Sequence, residues 1–209
     1  MLLSAVAVLS TTTANTQVNQ GRQIFRFDTF GDEQLWTDTL RMHEAIQSSV
    51  SPVTALGVGL KVDATAVPAN FLSTRDLNDP AITVELIKLN AVVGLVGTVR
   101  GLQLKSVGIT CAICHSTVDN SVAPGIGNRL EGWPNRDLNP GAIIALSPAL
   151  TSAQKAVYNS WRPGRFDPRS TATRSCGDWY GSVVCTAQRD EKVSHDAASR
   201  GVATSALLS

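Results

Sequence analysis

Residues 111–115 read Cys-Ala-Ile-Cys-His, inside the stretch SVGITCAICHSTVDNSVAPGIGNRLEGW that spans 106–133. Two thiols three residues apart lie one helical turn from each other, and an imidazole follows directly. The chain has only four cysteines and three histidines among 209 residues. Chance placement of such a run is on the order of one in a thousand, so the pattern calls for a chemical reason.

Four chemistries use closely spaced cysteines, and the surrounding residues weigh against three of them. A structural zinc site needs four N/S ligands, commonly as two knuckles. The other cysteines, Cys176 and Cys185, are too far apart for a second knuckle. A thioredoxin-type dithiol needs a strand before it and a long helix after it. Here a Gly/Pro-rich loop arrives at Pro124. A disulfide across two intervening residues is strained and gives His115 no task. Covalent haem uses all three residues. The thiols of Cys111 and Cys114 add across two porphyrin vinyl groups, and His115 supplies the proximal iron ligand.

Outward from the motif, helical periodicity is expected over Asp32–Val50, where Leu35, Met42, Ile46 and Val50 form a stripe flanked by Trp36, Leu40 and His43. Asp79 and Pro80 predict a helix start, with Asp as N-cap and Pro at the first helical position, continuing through AITVELIKLN. The Val/Gly-rich residues 92–109 predict a small hairpin turning at Arg100-Gly101. Residues 124–141 read as a loop. A last helix begins at Ser152, capped by Thr151 or Ser152 itself. The expected fold is mainly α, with a small β-hairpin insertion and irregular loops.

Three segments are expected. Residues 1–19 hold a short apolar run, Leu2–Leu9, and a polar stretch after it. This suits a signal-like or disordered N-terminus and an exported, periplasmic protein with no transmembrane span in its mature chain. Residues 20–169 form the haem domain. Residues 170–209 lack any apolar period and read as a poorly structured tail, truncated or frame-shifted, in which Cys176 and Cys185 could pair. A net charge of +1 with no basic patch argues against a nucleic-acid partner.

The motif resembles that of class I c-type cytochromes. APGIGNRLEGW, with Pro124, resembles the proline-and-glycine segment that follows the haem turn in that family. Gly21-Arg22-Gln23-Ile24-Phe25 looks like the family's Gly-basic-x-x-Phe opening. More loosely, residues 21–168 are similar to larger bacterial periplasmic cytochromes c of uncharacterised or peroxidase-like type. The resemblance implies one covalent haem c and a role for the Pro124 carbonyl as acceptor for the His115 Nδ1–H. It also implies electron transfer to a redox partner protein. About ninety residues separate the opening from the motif, where the family has about ten. No methionine follows Met42, so the sixth iron ligand falls to His43, Met42, His195, a residue of missing sequence, or none.

Two rival functions remain at this level. A peroxidase-like oxidoreductase would need an open iron position and polar groups beside it, whereas Arg129, Glu131 and Arg136 read as solvated loop residues. A non-haem metal or structural module would need no haem at all. An electron carrier is favoured over a catalytic haem enzyme.

Overall fold

One left-handed residue divides the helix expected over 32–50. The structure, a computed structural model, describes residues 3–164, with side chains described from residue 15 onward. Helix α1 (Leu3–Phe27) runs through the apolar run and the polar stretch alike, crossing the expected boundary at residue 19. Side chains 15–24 are exposed, and burial begins at Phe25. A π-helical turn, Gln34–Thr39, then gives way to α2 (Met42–Ser49) through Arg41, whose φ is 53°. Two polar contacts just before Arg41 accompany the break. Thr37 both donates to the Val107 carbonyl at 2.9 Å and accepts from the Val107 N–H at 2.8 Å. The Leu40 carbonyl accepts the Ser147 hydroxyl instead of continuing the helix. Both halves still bury their apolar residues, Trp36 and Leu40 in one, Met42 and Ile46 in the other.

Ser51 caps α3 (Pro52–Gly57), and β1 (Val62–Asp63) and the short α4 (Phe71–Thr74) follow. Helix α5 (Pro80–Lys88) starts as the sequence predicts, with the Asp79 carboxylate accepting from the Ala81 N–H at 2.9 Å. The hairpin is also present. Strands β2 (Leu95–Arg100) and β3 (Gln103–Ile109) pair antiparallel and turn at Gly101, whose φ is 64°. Leu86 and Ile87 of α5 and Val107 of β3 are almost wholly buried at the centre of the core.

After the hairpin come α6 (Ala112–His115), β4 (Ser116–Val118), β5 (Ile126–Gly127) and β6 (Arg129–Glu131). Helices α7 (Pro140–Ala145) and α8 (Ser152–Asn159) close the described chain. Strand β5 pairs parallel with β1, and β4 pairs antiparallel with β6. Residues 124–141 remain mostly turn and irregular chain, as the sequence suggests, with β5 and β6 set into them and α7 starting at Pro140. The described fold is mixed, with helices and three two-stranded sheets. Strands of two or three residues are too short to show alternation. Asp119 organises them instead, accepting from the Ser121 and Asn128 N–H groups at 3.0 and 2.8 Å. Thr151 caps α8 in a capping box with Gln154.

Among the described residues no helix is long and apolar enough to cross a membrane. The expectations for residues 170–209, including the Cys176–Cys185 pairing and His195, lie outside the described residues.

Candidate functional site

Strand β3 delivers the chain to the motif, and Thr110 starts the turn. The Thr110 N–H donates to the Gly94 carbonyl at 2.9 Å, the Ile113 N–H to the Thr110 carbonyl at 3.1 Å, and the His115 N–H to the Cys111 carbonyl at 3.2 Å. That single turn separates two faces. Ala112 is 0% and Ile113 5% exposed, whereas Cys111, Cys114 and His115 all face solvent. Both thiols are free. The inner face is held by close packing. Gly94 has a φ of 77°, and a Cβ there would fall within the Ile113 backbone. Phe25, from the far end of α1, packs on Ala112, Val93 and Val118. Gly21-Arg22-x-x-Phe25 thus reaches the motif in space despite its distance in sequence.

The segment after β6 returns beneath the turn. The Gly132 N–H donates to the His115 carbonyl and the Asn135 N–H to the Cys114 carbonyl, each at 2.9 Å. The Asn135 side chain, itself buried, donates to the carbonyls of Gly59 and Ile113. Lys61 and Asp137 pair at 2.6 Å just beyond. Between these anchors Trp133 is 62% exposed, beside Cys114 and His115. Phe30 is also exposed, next to Thr29, which crowds Gly108 three residues before Cys111. Sequence reasoning gave Gly94 and Asn135 no role. A glycine or asparagine that serves a distant backbone carries no local signal.

Pro124 lies elsewhere. It occupies an exposed turn in which the Ile126 N–H donates to the Ala123 carbonyl at 2.8 Å, with Gly125 at φ 80°. Asn120 accepts the Gly125 N–H, and the Gly125 carbonyl accepts the Val62 N–H. Those bonds tie the turn to β1. Among the described residues no hydrogen bond joins the Pro124 carbonyl to the His115 ring. The proline that stands under the motif is Pro134, within Gly132–Asn135.

Met42 is buried and lines an apolar cavity of about 30 Å³ with Trp36, Ile46, Val107 and Ile113. It therefore lies on the Ile113 side of the turn, away from the thiols, as core. His43 is half-buried. Its Nδ1 has no hydrogen-bond partner, and its Nε2 stands 3.9 Å from Glu44. A cavity of that size admits a few atoms and no porphyrin. A haem joined to these thiols would be held by Cys111, Cys114 and His115 on the solvent-facing side of the turn.

Partial burial pushes the Cys114 thiol up, and Cys111 beside it adds to the effect. A raised thiol is a poor thiolate nucleophile, so Cys114 is not activated for nucleophilic attack. No group of three or more His, Cys, Asp or Glu side chains gathers to hold a metal among the described residues. Arg129 and Glu131 are not the solvated loop residues that the sequence suggests. Both lie on β6, and the Arg129 side chain is 6% exposed. Glu131 pairs with Arg26 and, at 3.3 Å, with Arg22. The i, i+4 spacing of Arg22 and Arg26, which places them on one face of α1, is the signal that could have marked this contact.

No family model, curated protein or solved structure matches the chain.

Proposed function

We propose that the chain is a haem c protein of the cell envelope that passes single electrons to a redox partner protein. One haem is held covalently by Cys111 and Cys114, with His115 as its proximal ligand. The observation that carries this reading is the division of the Cys111–His115 turn, with both thiols and the imidazole on the outer face and Ala112 and Ile113 locked inside. Cys111 and Cys114 would hold the group through thioether bonds, each S–H adding across a vinyl C=C with no net oxidation. When bound, the haem supplies the one-electron couple.

This chain's own residues fix the geometry. Gly94 and Phe25 hold the turn from inside, and Gly132 and Asn135 hold the carbonyls of His115 and Cys114. The proximity of Phe25 to Ala112 supports the c-type cytochrome resemblance, as does the motif. Envelope location rests on the Leu2–Leu9 run. His43 is the described residue offered as sixth ligand; Met42 belongs to the core.

The test is a pyridine haemochrome spectrum of the full chain, expressed with a cytochrome c maturation system. A thioether-type spectrum that survives acid-acetone extraction is expected, and Cys111→Ala/Cys114→Ala should abolish it. Carbon monoxide added to the reduced protein should leave the spectrum unchanged if His43 ligates the iron, and shift it if that position is open. Failure to retain haem in the wild-type chain would overturn the proposal.

A further inference from the structure

Two buried donors on one face of the β4–β6 ladder have no acceptor. The pairs are Ser116↔Glu131 and Val118↔Arg129, and directly opposed residues of an antiparallel pair share a face. Ser116 is 0% exposed, and its hydroxyl makes no hydrogen bond. The Arg129 side chain is 6% exposed, and its Nε and Nη2 make none. Unmade hydrogen bonds of buried charged donors are costly, so two on one face point to a missing acceptor. The obvious internal acceptor is withheld. Glu131 Oε1 stops 3.9 Å from Arg129 Nε, because Arg26 and Arg22 engage both its oxygens from α1. Burial and the neighbouring Arg26 both weigh against the charge on Arg129, which Glu131 and Asp63 offset only partly. A further anion would relieve this.

We propose that Arg129 and Ser116, flanked by Arg22 and Arg26, form a carboxylate-binding site directly behind the Cys111–His115 turn. The guanidinium presents paired N–H groups that match a planar carboxylate, and the hydroxyl adds a third donor. Ser116 follows His115 in the chain, and Val118, on the same face, packs on Ala112. The carboxylate comes from solution: a haem attached through Cys111 and Cys114 would carry its propionates on the porphyrin edge opposite the thioethers, away from this inner side of the turn, so the site does not rest on the haem reading.

The experiment compares acetate with chloride at constant ionic strength by thermal unfolding of two forms of the full chain. One is the Cys111→Ala/Cys114→Ala chain, which attaches no haem; the other is the haem-loaded chain. At acetate about ten times its dissociation constant, the haem-free form should gain about 2–5 °C over chloride. Ser116→Ala should reduce that gain, and Arg129→Gln should abolish it. If Arg129→Gln does not fold, the surface double variant Arg22→Gln/Arg26→Gln serves, because the freed Glu131 closes on Arg129 and should abolish the gain as well. The gain should persist on haem loading, and a gain that disappears would overturn the assignment to a free carboxylate. No acetate-specific gain in the haem-free chain would overturn the site whether or not haem is attached.

Discussion

The chain upstream of Cys111 and the chain downstream of His115 hold the same turn by opposite means. Upstream, α5 and the β2–β3 hairpin bury Ile87 and Val107, Val107 lines one apolar cavity with Ile113, and Val93, between them, packs on Ala112 of the turn's inner face. Downstream, residues 116–139 bury far less apolar area. They are fixed by Asp119 to two backbone N–H groups, by Asn135 to two carbonyls, by Lys61 to Asp137, and by α1 to Glu131. One wall of the site is therefore set by shape and the other by hydrogen bonds. The shape-set wall should tolerate changes of polarity poorly and changes of volume worse. The polar wall should fail one donor at a time.

The largest effect is expected where the shape-set wall has no slack. Gly94→Ala places a Cβ inside the Ile113 backbone at a positive φ, and so combines overpacking with backbone strain. A loss of about 3 kcal/mol or more is expected in urea unfolding. Haem incorporation should fall with it, since Ile113 sits between the two cysteines. A loss under about 1 kcal/mol would mean that the turn can move off the hairpin and that the wall is softer than drawn.

On the polar wall, Asn135→Ala removes the donor to the Gly59 and Ile113 carbonyls and leaves both without it in a buried place. The expected cost is about 2 kcal/mol. Asn135→Asp, which keeps the volume but turns a donor into an acceptor facing two carbonyls, should cost more than Asn135→Ala. The reverse order would mean that Asn135 acts through packing, and the contrast between the walls would weaken.

The same contrast explains what the sequence could tell. Where burial sets the structure, the residues announce it: the α5 apolar run, the Val/Gly hairpin and the Asp79–Pro80 start were all legible. The break at Arg41 was not, because Leu35, Met42 and Ile46 fit one helical stripe and only the bonds of Thr37 to Val107 and of Leu40 to Ser147, partners distant in sequence, reveal why the helix divides. Helix α7 was missed although Asn139-Pro140 offers the same cap as Asp79-Pro80; the glycines and prolines around it read as loop. At the site, Cys111, Cys114 and His115 stood out by spacing alone. Gly94 and Asn135 did not, since each serves a partner at least 19 residues away.

Asp32 is the polar exception on the shape-set wall, and it should give the smallest effect. Its carboxylate accepts from the Ile109 N–H at 3.0 Å, two residues before Cys111, in space left by Gly108. Burial raises its pKa to about 6, with Glu33 adding to the rise and the Ile109 N–H and Trp36 bonds opposing it. Between its ordinary value near 3.8 and about 6, the folded chain binds a proton that the unfolded chain has released. Stability from this group is therefore complete below the lower value and is lost as pH rises through the upper one. Asp32→Asn keeps an oxygen for Ile109 and carries no charge at any pH. Relative to wild type, the variant should gain about 1 kcal/mol on going from pH 4 to pH 7.5, after screening at this half-exposed site. Only the difference between the two chains isolates Asp32, because Glu131 and Asp119, both held below their usual range, act in the opposite direction in each. A variant-to-wild-type difference that is equal at the two pH values would show that the Asp32 carboxyl is solvated, and that the wall facing Cys111 is apolar throughout.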